Sequence, residues 1–303
     1  MELNKGSMQT QTTTPYSLMS AQDLDATLGR RAMLAYFLLI SQTSYAKQEI
    51  LAPEWTPYLD EYLQTISKYP EWPGDEQLAA QIKIQLLVHQ ISQRSWKNQE
   101  FQPPASYLKG LQSQLEKIKA KLPRRLSQNV DIISQLLYSE LAIQDAILTK
   151  PLVSLYIPNY QRQQLFETHL TTLTRIFDHF FIPQDQYSGV IFIRWCQMAH
   201  GLILLHRLYV LDDDPSWDQA SARDHVGLFA LGDRLTSILA ETGASRGGAR
   251  SDSNENMFIR FSRIIQSICS AWVVELQSSE LRLESYDYLQ YSTINFRFKP
   301  LLF

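Results

Sequence analysis

Cys196 and His200 stand four residues apart in an apolar stretch that runs from Trp195 to Val210. On a helix this spacing sets both side chains on one face, where a thiol and an imidazole can serve as nucleophile and base. The plainer reading is a buried thiol beside a hydrogen-bonded histidine, because cysteine is among the most buried residue types. His206 lies six residues past His200 and so points elsewhere around the helix, which argues against a histidine metal site. Asp212, Asp213, Asp214 and Asp218 lack the alternate spacing of a calcium loop. A solvated turn is expected there, with Asp214 or Ser216 capping the next helix. The sequence contains no glycine-rich phosphate loop, no Gly-x-Ser-x-Gly and no His-Glu-x-x-His. Neither a metal nor a cofactor is expected.

A second group of polar residues interrupts faces that packing alone would fill with Leu and Ile. These are Tyr36, Ser41, Tyr138, Trp195, His200 and Tyr209. Helices lined in this way can enclose a small-molecule pocket with a few polar anchors. Its candidate ligand-binding residues are Tyr36, Tyr138, Trp195, Cys196, His200 and Tyr209. The alternative is a core whose polar tips pair with one another, and both readings stay open. The sharper expectation is that Trp195, Cys196, His200 and Tyr36 line one internal cavity around a central helix over 187–210. In an enzyme, His200 or Tyr36 would be the acid or base. Arg30 and Arg31 stand near a helix start, where cations oppose the macrodipole. An ion pair with Asp60 or Glu61 is expected to compensate.

These residues must be positioned by helices. Apolar residues recur at three and four over long stretches that contain neither Pro nor Gly. The periodicity predicts helices over 26–47, from 56–57 onward, 75–96, 106–121, 129–149, 159–181, 187–210, 220–242 and 257–276. Thr56-Pro57 is a helix-start signal, and Leu59, Leu63 and Ile66 share the face that follows it. Pro70, Pro73, Pro103, Pro104, Pro123, Pro151 and Pro183 punctuate the run. The Gly- and Ser-rich stretch 243–256 reads as a mobile loop, exposed to proteases. The aromatic tail 285–303 reads as extended. Residues 1–22, rich in Thr, Gln and Ser, read as a disordered segment or tag. The fold expected for 23–303 is one all-α domain of about nine helices packed as antiparallel pairs.

Composition narrows the function classes. The 303 residues are 45% hydrophobic, which supports a sizeable core. A net charge of -3 gives no basic footprint for nucleic acid. The two cysteines form no Cys-x-x-Cys pair, so they read as free thiols in a reducing compartment. No secretory pattern opens the sequence, and the apolar run 32–40 is too short to span a bilayer. An intracellular protein without a membrane segment is expected.

Three stretches resemble one family. The first is Gly29-Arg30-Arg31-Ala32-Met33-Leu34-Ala35-Tyr36, followed by Trp55-Thr56-Pro57-Tyr58-Leu59-Asp60-Glu61-Tyr62-Leu63. The second runs from Asp75 to Val88 with His89. The third is Trp195-Cys196-Gln197-Met198-Ala199-His200 with Leu205, Arg207 and Leu208, then Asp213-Asp214-Pro215-Ser216-Trp217-Asp218. In order and spacing they resemble the regulatory domain of fungal zinc-cluster transcription factors, the fungal-specific transcription factor domain. Two departures stand out. The six-cysteine cluster of the family is missing, and two cysteines cannot hold two zinc ions tetrahedrally. Only about 25 polar residues precede the arginine-rich helix, where the family has further helices. The chain is therefore either a fragment or a stand-alone descendant.

The resemblance implies a regulatory domain that senses a small molecule or binds a partner protein, in nucleus or cytoplasm, with no DNA contact of its own. A two-state helical arrangement would carry the signal. An alternative of another class is a secondary-metabolism enzyme derived from this domain, a cyclase or isomerase that folds an apolar substrate by positioning. A third is a decoy or dimerisation partner of a full-length regulator, including a homodimer.

Overall fold

Thr56 begins the second helix as the sequence signals predict. Its hydroxyl accepts from the Leu59 amide at 3.4 Å, Pro57 takes the first helical position, and Leu59, Leu63 and Ile66 are buried. The structure, a computed structural model, describes residues 21–47, 53–93, 105–148, 158–181, 192–211, 214, 216–246 and 256–283. Among these residues every regular element is a helix. They are α1 (Ala21–Lys47), α2 (Pro57–Lys68), α3 (Asp75–Gln93), α4 (Ala105–Lys121), α5 (Arg124–Ser127) and α6 (Val130–Leu148). Then follow α7 (Asn159–Phe180), α8 (Phe192–Val210), α9 (Gln219–His225), α10 (Leu228–Arg246) and α11 (Met257–Leu283).

The all-α expectation holds, with eleven helices among the described residues where about nine were expected. One extra is the single turn α5 after Pro123. The other arises because the helix expected over 220–242 is two helices, parted at Val226-Gly227. The Asp218 carboxylate caps α9 by accepting from the Ala220 amide at 3.0 Å, so neither Asp214 nor Ser216 is the cap. Asn129 caps α6, its Oδ1 accepting from Asp131 and Ile132 at 3.0 and 3.1 Å.

The stretch expected as a loop from 243 is corrected in part. Gly243 to Arg246 continue α10, and Gly243 is buried. A Cβ at Gly243 would come within 2.6 Å of Ile259 Cγ1, and one at Gly232 within 2.6 Å of Cys269 Sγ. The two glycines, three turns apart on one face, let α10 and α11 approach closely. Asn256 closes the pair: it caps α11 at the Phe258 amide (3.0 Å) and donates to the Gly243 carbonyl (2.9 Å). The rest of that loop, most of the segment 1–22 and the tail 285–303 lie outside the described residues.

The core has three parts. Leu34, Phe37, Leu59, Leu63, Ile66, Ala79 and Ile82 join α1, α2 and α3. Ile84 and Leu87 of α3 meet Leu108, Leu111 and Leu115 of α4 and Ile132, Ile143 and Ile147 of α6. The largest part joins α6 to α11 around α8. Fourteen of the nineteen residues of α8 are buried, which makes it the central helix. Met257–Leu276 of α11 is long and apolar enough to cross a membrane by length and composition. Phe258, Phe261, Ile265, Trp272 and Leu276 instead pack into this core.

Arg31 lies well inside α1 rather than at its start, and its partners are not Asp60 or Glu61. Its guanidinium holds Asp75 in a fork of 2.7 and 2.9 Å and reaches Glu71 at 3.2 Å. The same Asp75 carboxylate accepts from the Glu71 and Trp72 amides, both at 2.9 Å. Burial opposes its ionisation, but the Arg31 bond and these two amides outweigh it and hold the carboxyl below its usual range.

Candidate functional site

Tyr138 on α6 and His200 on α8 both point into the largest core because each continues an apolar helical face. The phenol oxygen lies 2.8 Å from His200 Nδ1, with the rings edge to face at 5.8 Å. Burial pushes His200 down to about 4, with the Arg207 charge adding to it. Burial also raises the Tyr138 phenol well above its usual range. A neutral imidazole and a protonated phenol therefore share one hydrogen bond. Cys196, a buried thiol outside any disulfide, sits one turn before His200 on α8.

Further polar groups surround the pair. His169 of α7 is buried and held down to about 3 by burial first, then by the charge of Arg207 and by His200. Gln144 of α6 donates to Thr172 of α7 at 3.1 Å. Arg207 of α8 reaches Asp145 of α6 at 3.1 Å. The Gln144–Thr172 bond ties α6 to α7 within the core, and the Arg207–Asp145 pair ties α8 to α6 at its solvent-facing edge.

A small void lies beside Tyr138. Ser134, Tyr138, His179, Arg194 and Gln197 border a cavity of about 10 Å³, room for a single water. Trp195, Cys196 and His200 are not among its walls.

Of the six residues expected around a ligand, only Tyr138, Cys196 and His200 cluster. Tyr36 is 57% exposed on the outside of α1, so it does not line an internal cavity with the others. Trp195 is fully buried but packs on Phe180 and Phe258, with ring centroids at 4.9 and 6.2 Å. Tyr209 lies fourteen residues further along α8, about 21 Å away. Its hydroxyl donates to the Val226 carbonyl and accepts from the Leu228 amide at 3.1 Å, which pins the break between α9 and α10. Tyr138 with His200, and Tyr209 with the Val226 carbonyl and the Leu228 amide, pair their polar tips inside the core.

Other clusters escaped the sequence reading. Asp214, expected in a solvated turn, is buried in an ion pair with Arg162 of α7. Trp217 of the same turn donates to the Leu208 carbonyl at 2.8 Å and packs on Phe166. Gln85 donates to Ser41 at 3.0 Å, and Ser41 lies 3.4 Å from His89 Nδ1, which joins α1 to α3. Among the described residues, no group of three His, Cys, Asp or Glu side chains is placed to hold a metal ion.

A family model described as a C-terminal domain, ATEG07667_C, matches residues 184–295, the part that holds α8 to α11. The chain is also similar to the transcription factor opdL of Penicillium oxalicum, 29% identical over 254 residues. That likeness covers 82% of this chain and 44% of the relative. A protein named transcription factor in Aspergillus terreus is 25% identical over 267 residues, 81% of this chain and 44% of the relative. The chain thus spans less than half the length of these curated relatives. No solved structure matches it.

Proposed function

We propose that this chain is the helical regulatory part of a transcription regulator of the fungal type, and that it does not itself read DNA. One observation carries the reading: the likeness to proteins named transcription factors extends over four-fifths of the chain, through all three parts of the core. The net charge of -3 and the presence of only two cysteines within these residues are consistent with DNA contact made elsewhere.

In the finer form of the proposal, the chain responds to a small molecule or a partner protein by moving α8. That helix packs against α1, α7, α9, α10 and α11 and is bonded to α6 through Tyr138–His200 and Asp145–Arg207, so a shift in α8 reaches six others. A ligand larger than water would have to open the interior around Tyr138 and His200.

The test is a reporter assay in a fungal host, with the chain fused to an unrelated DNA-binding domain. Reporter output should change severalfold relative to the DNA-binding domain alone. Equal output in several growth conditions would sink the regulatory reading. A mobility-shift titration of the unfused chain should show no salt-sensitive binding to duplex DNA.

A further inference from the structure

The outer face of α1 is inverted. Of the α1 side chains between Thr27 and Ser44, the exposed ones are Leu28, Gly29, Ala32, Met33, Ala35, Tyr36 and Leu39. Apart from the Tyr36 hydroxyl none is polar, whereas Thr27, Ser41, Gln42 and Ser44 are buried beside Leu34 and Phe37. A helix with one side in water normally carries its charges there. Leu28, Met33, Tyr36 and Leu39 are each about half exposed. A contiguous apolar patch of this kind marks an interaction surface.

The order of residues suits a second copy of the same helix. Leu28, Ala32, Ala35 and Leu39 are spaced four, three and four, the seam spacing of paired helices. Large, small, small, large reads the same in either direction. An antiparallel copy of α1 therefore sets Leu28 against the partner's Leu39 and Ala32 against the partner's Ala35. The small waist lets the two axes approach. Arg31 is held inward by Asp75 and leaves the seam free of its charge.

We propose that α1 is the two-fold interface of a homodimer, packed antiparallel on Leu28, Ala32, Ala35 and Leu39. A self-complementary patch is what a two-fold contact requires. Leu28 and Leu39 with the alanines between them, flanked by Met33 and Tyr36, offer at most on the order of 500 Å² per copy, so at most on the order of 1,000 Å² is buried, the lower threshold of a specific interface. The dimer is accordingly one that dissociates on dilution. This inference stands apart from the regulatory reading and survives its failure.

Light scattering on the full chain tests it, from low to high micromolar concentration. The mass should approach twice 35.1 kDa at the upper end and fall toward 35.1 kDa on dilution. Ala35→Glu and, separately, Leu39→Glu should give monomers at every concentration with unchanged helical circular dichroism, since both positions are exposed. Chains carrying Leu28→Cys should cross-link to chains carrying Leu39→Cys when mixed, and far less to themselves. A wild-type monomer throughout would overturn the proposal, including one in which hydrogen exchange shows α1 covered by another part of the same chain. So would a dimer that survives both glutamates. Self-cross-linking at Leu28→Cys would overturn the antiparallel arrangement.

Discussion

Tyr138 and His200 meet 2.8 Å apart in the core, and each answers the other's burial. A buried phenol needs a partner, and a buried imidazole held neutral provides one. Tyr138→Phe should therefore cost about 1–2 kcal/mol of stability. In a double-mutant cycle with His200→Ala, the coupling should be about 0.5–3 kcal/mol. Urea denaturation of the four proteins measures it, and additive effects would mean that the contact contributes nothing.

Acid should weaken the fold well before its carboxylates protonate. His169 and His200 ionise near 3 and 4 in the folded chain, against 6.5 when unfolded. Between those values the unfolded chain takes up protons that the folded chain does not. The stability is fully present above pH 6.5 and falls as the pH drops toward 4. Urea midpoints should decline steadily from pH 7 to pH 5, and a flat profile there would contradict the burial of both rings.

Two glycines in α10 should resist replacement, while one in α4 should welcome it. Gly243→Ala and Gly232→Ala place a methyl within 2.6 Å of Ile259 and Cys269, and should each cost about 1–3 kcal/mol. Gly110→Ala meets nothing within 4 Å and should stabilise by about 0.5–1 kcal/mol. Thermal midpoints of the three variants decide. If Gly243→Ala gains as Gly110→Ala does, the close approach of α10 and α11 is not there.

Asp75→Ala should be more damaging than Arg31→Ala. The arginine variant loses a buried fork, whereas the aspartate variant also strands the Glu71 and Trp72 amides. The lowered carboxyl ionisation contributes stability above its unfolded value of 3.8 and loses it as the pH falls through the folded one. Denaturation midpoints of both variants at neutral pH should keep this order, and the reverse order would place the energy in the arginine alone.

Helix positions were legible because period and punctuation agree. Thr56-Pro57 with Leu59, Leu63 and Ile66 is one case where cap, proline and buried face coincide. Gly243 was misread because a glycine that ends a helix and one that admits a neighbouring helix both lack the same Cβ. The break at Val226-Gly227 was missed because the apolar period runs on through it. Tyr36 was placed inward because α1 is apolar on more than one side, and a period cannot tell the core side from an apolar outer side. Arg31 finds Asp75 forty-four residues away, a pairing no local pattern encodes. His169 gave no signal, since it sits on a partly polar helix and the charged groups that act on it come from α8.

The way α3 is shared between two parts of the core has a mechanical consequence. Ile82 belongs to one cluster and Ile84 to the next, so the helix carries load on two opposed sides. Such a helix cannot roll about its axis to relieve strain on one side without lifting knobs from holes on the other. It behaves as an axle locked between two bearings. Through α3, a disturbance at α1 therefore passes to α6 as a translation of that helix along its length, and close-packed interiors favour discrete steps over gradual drift.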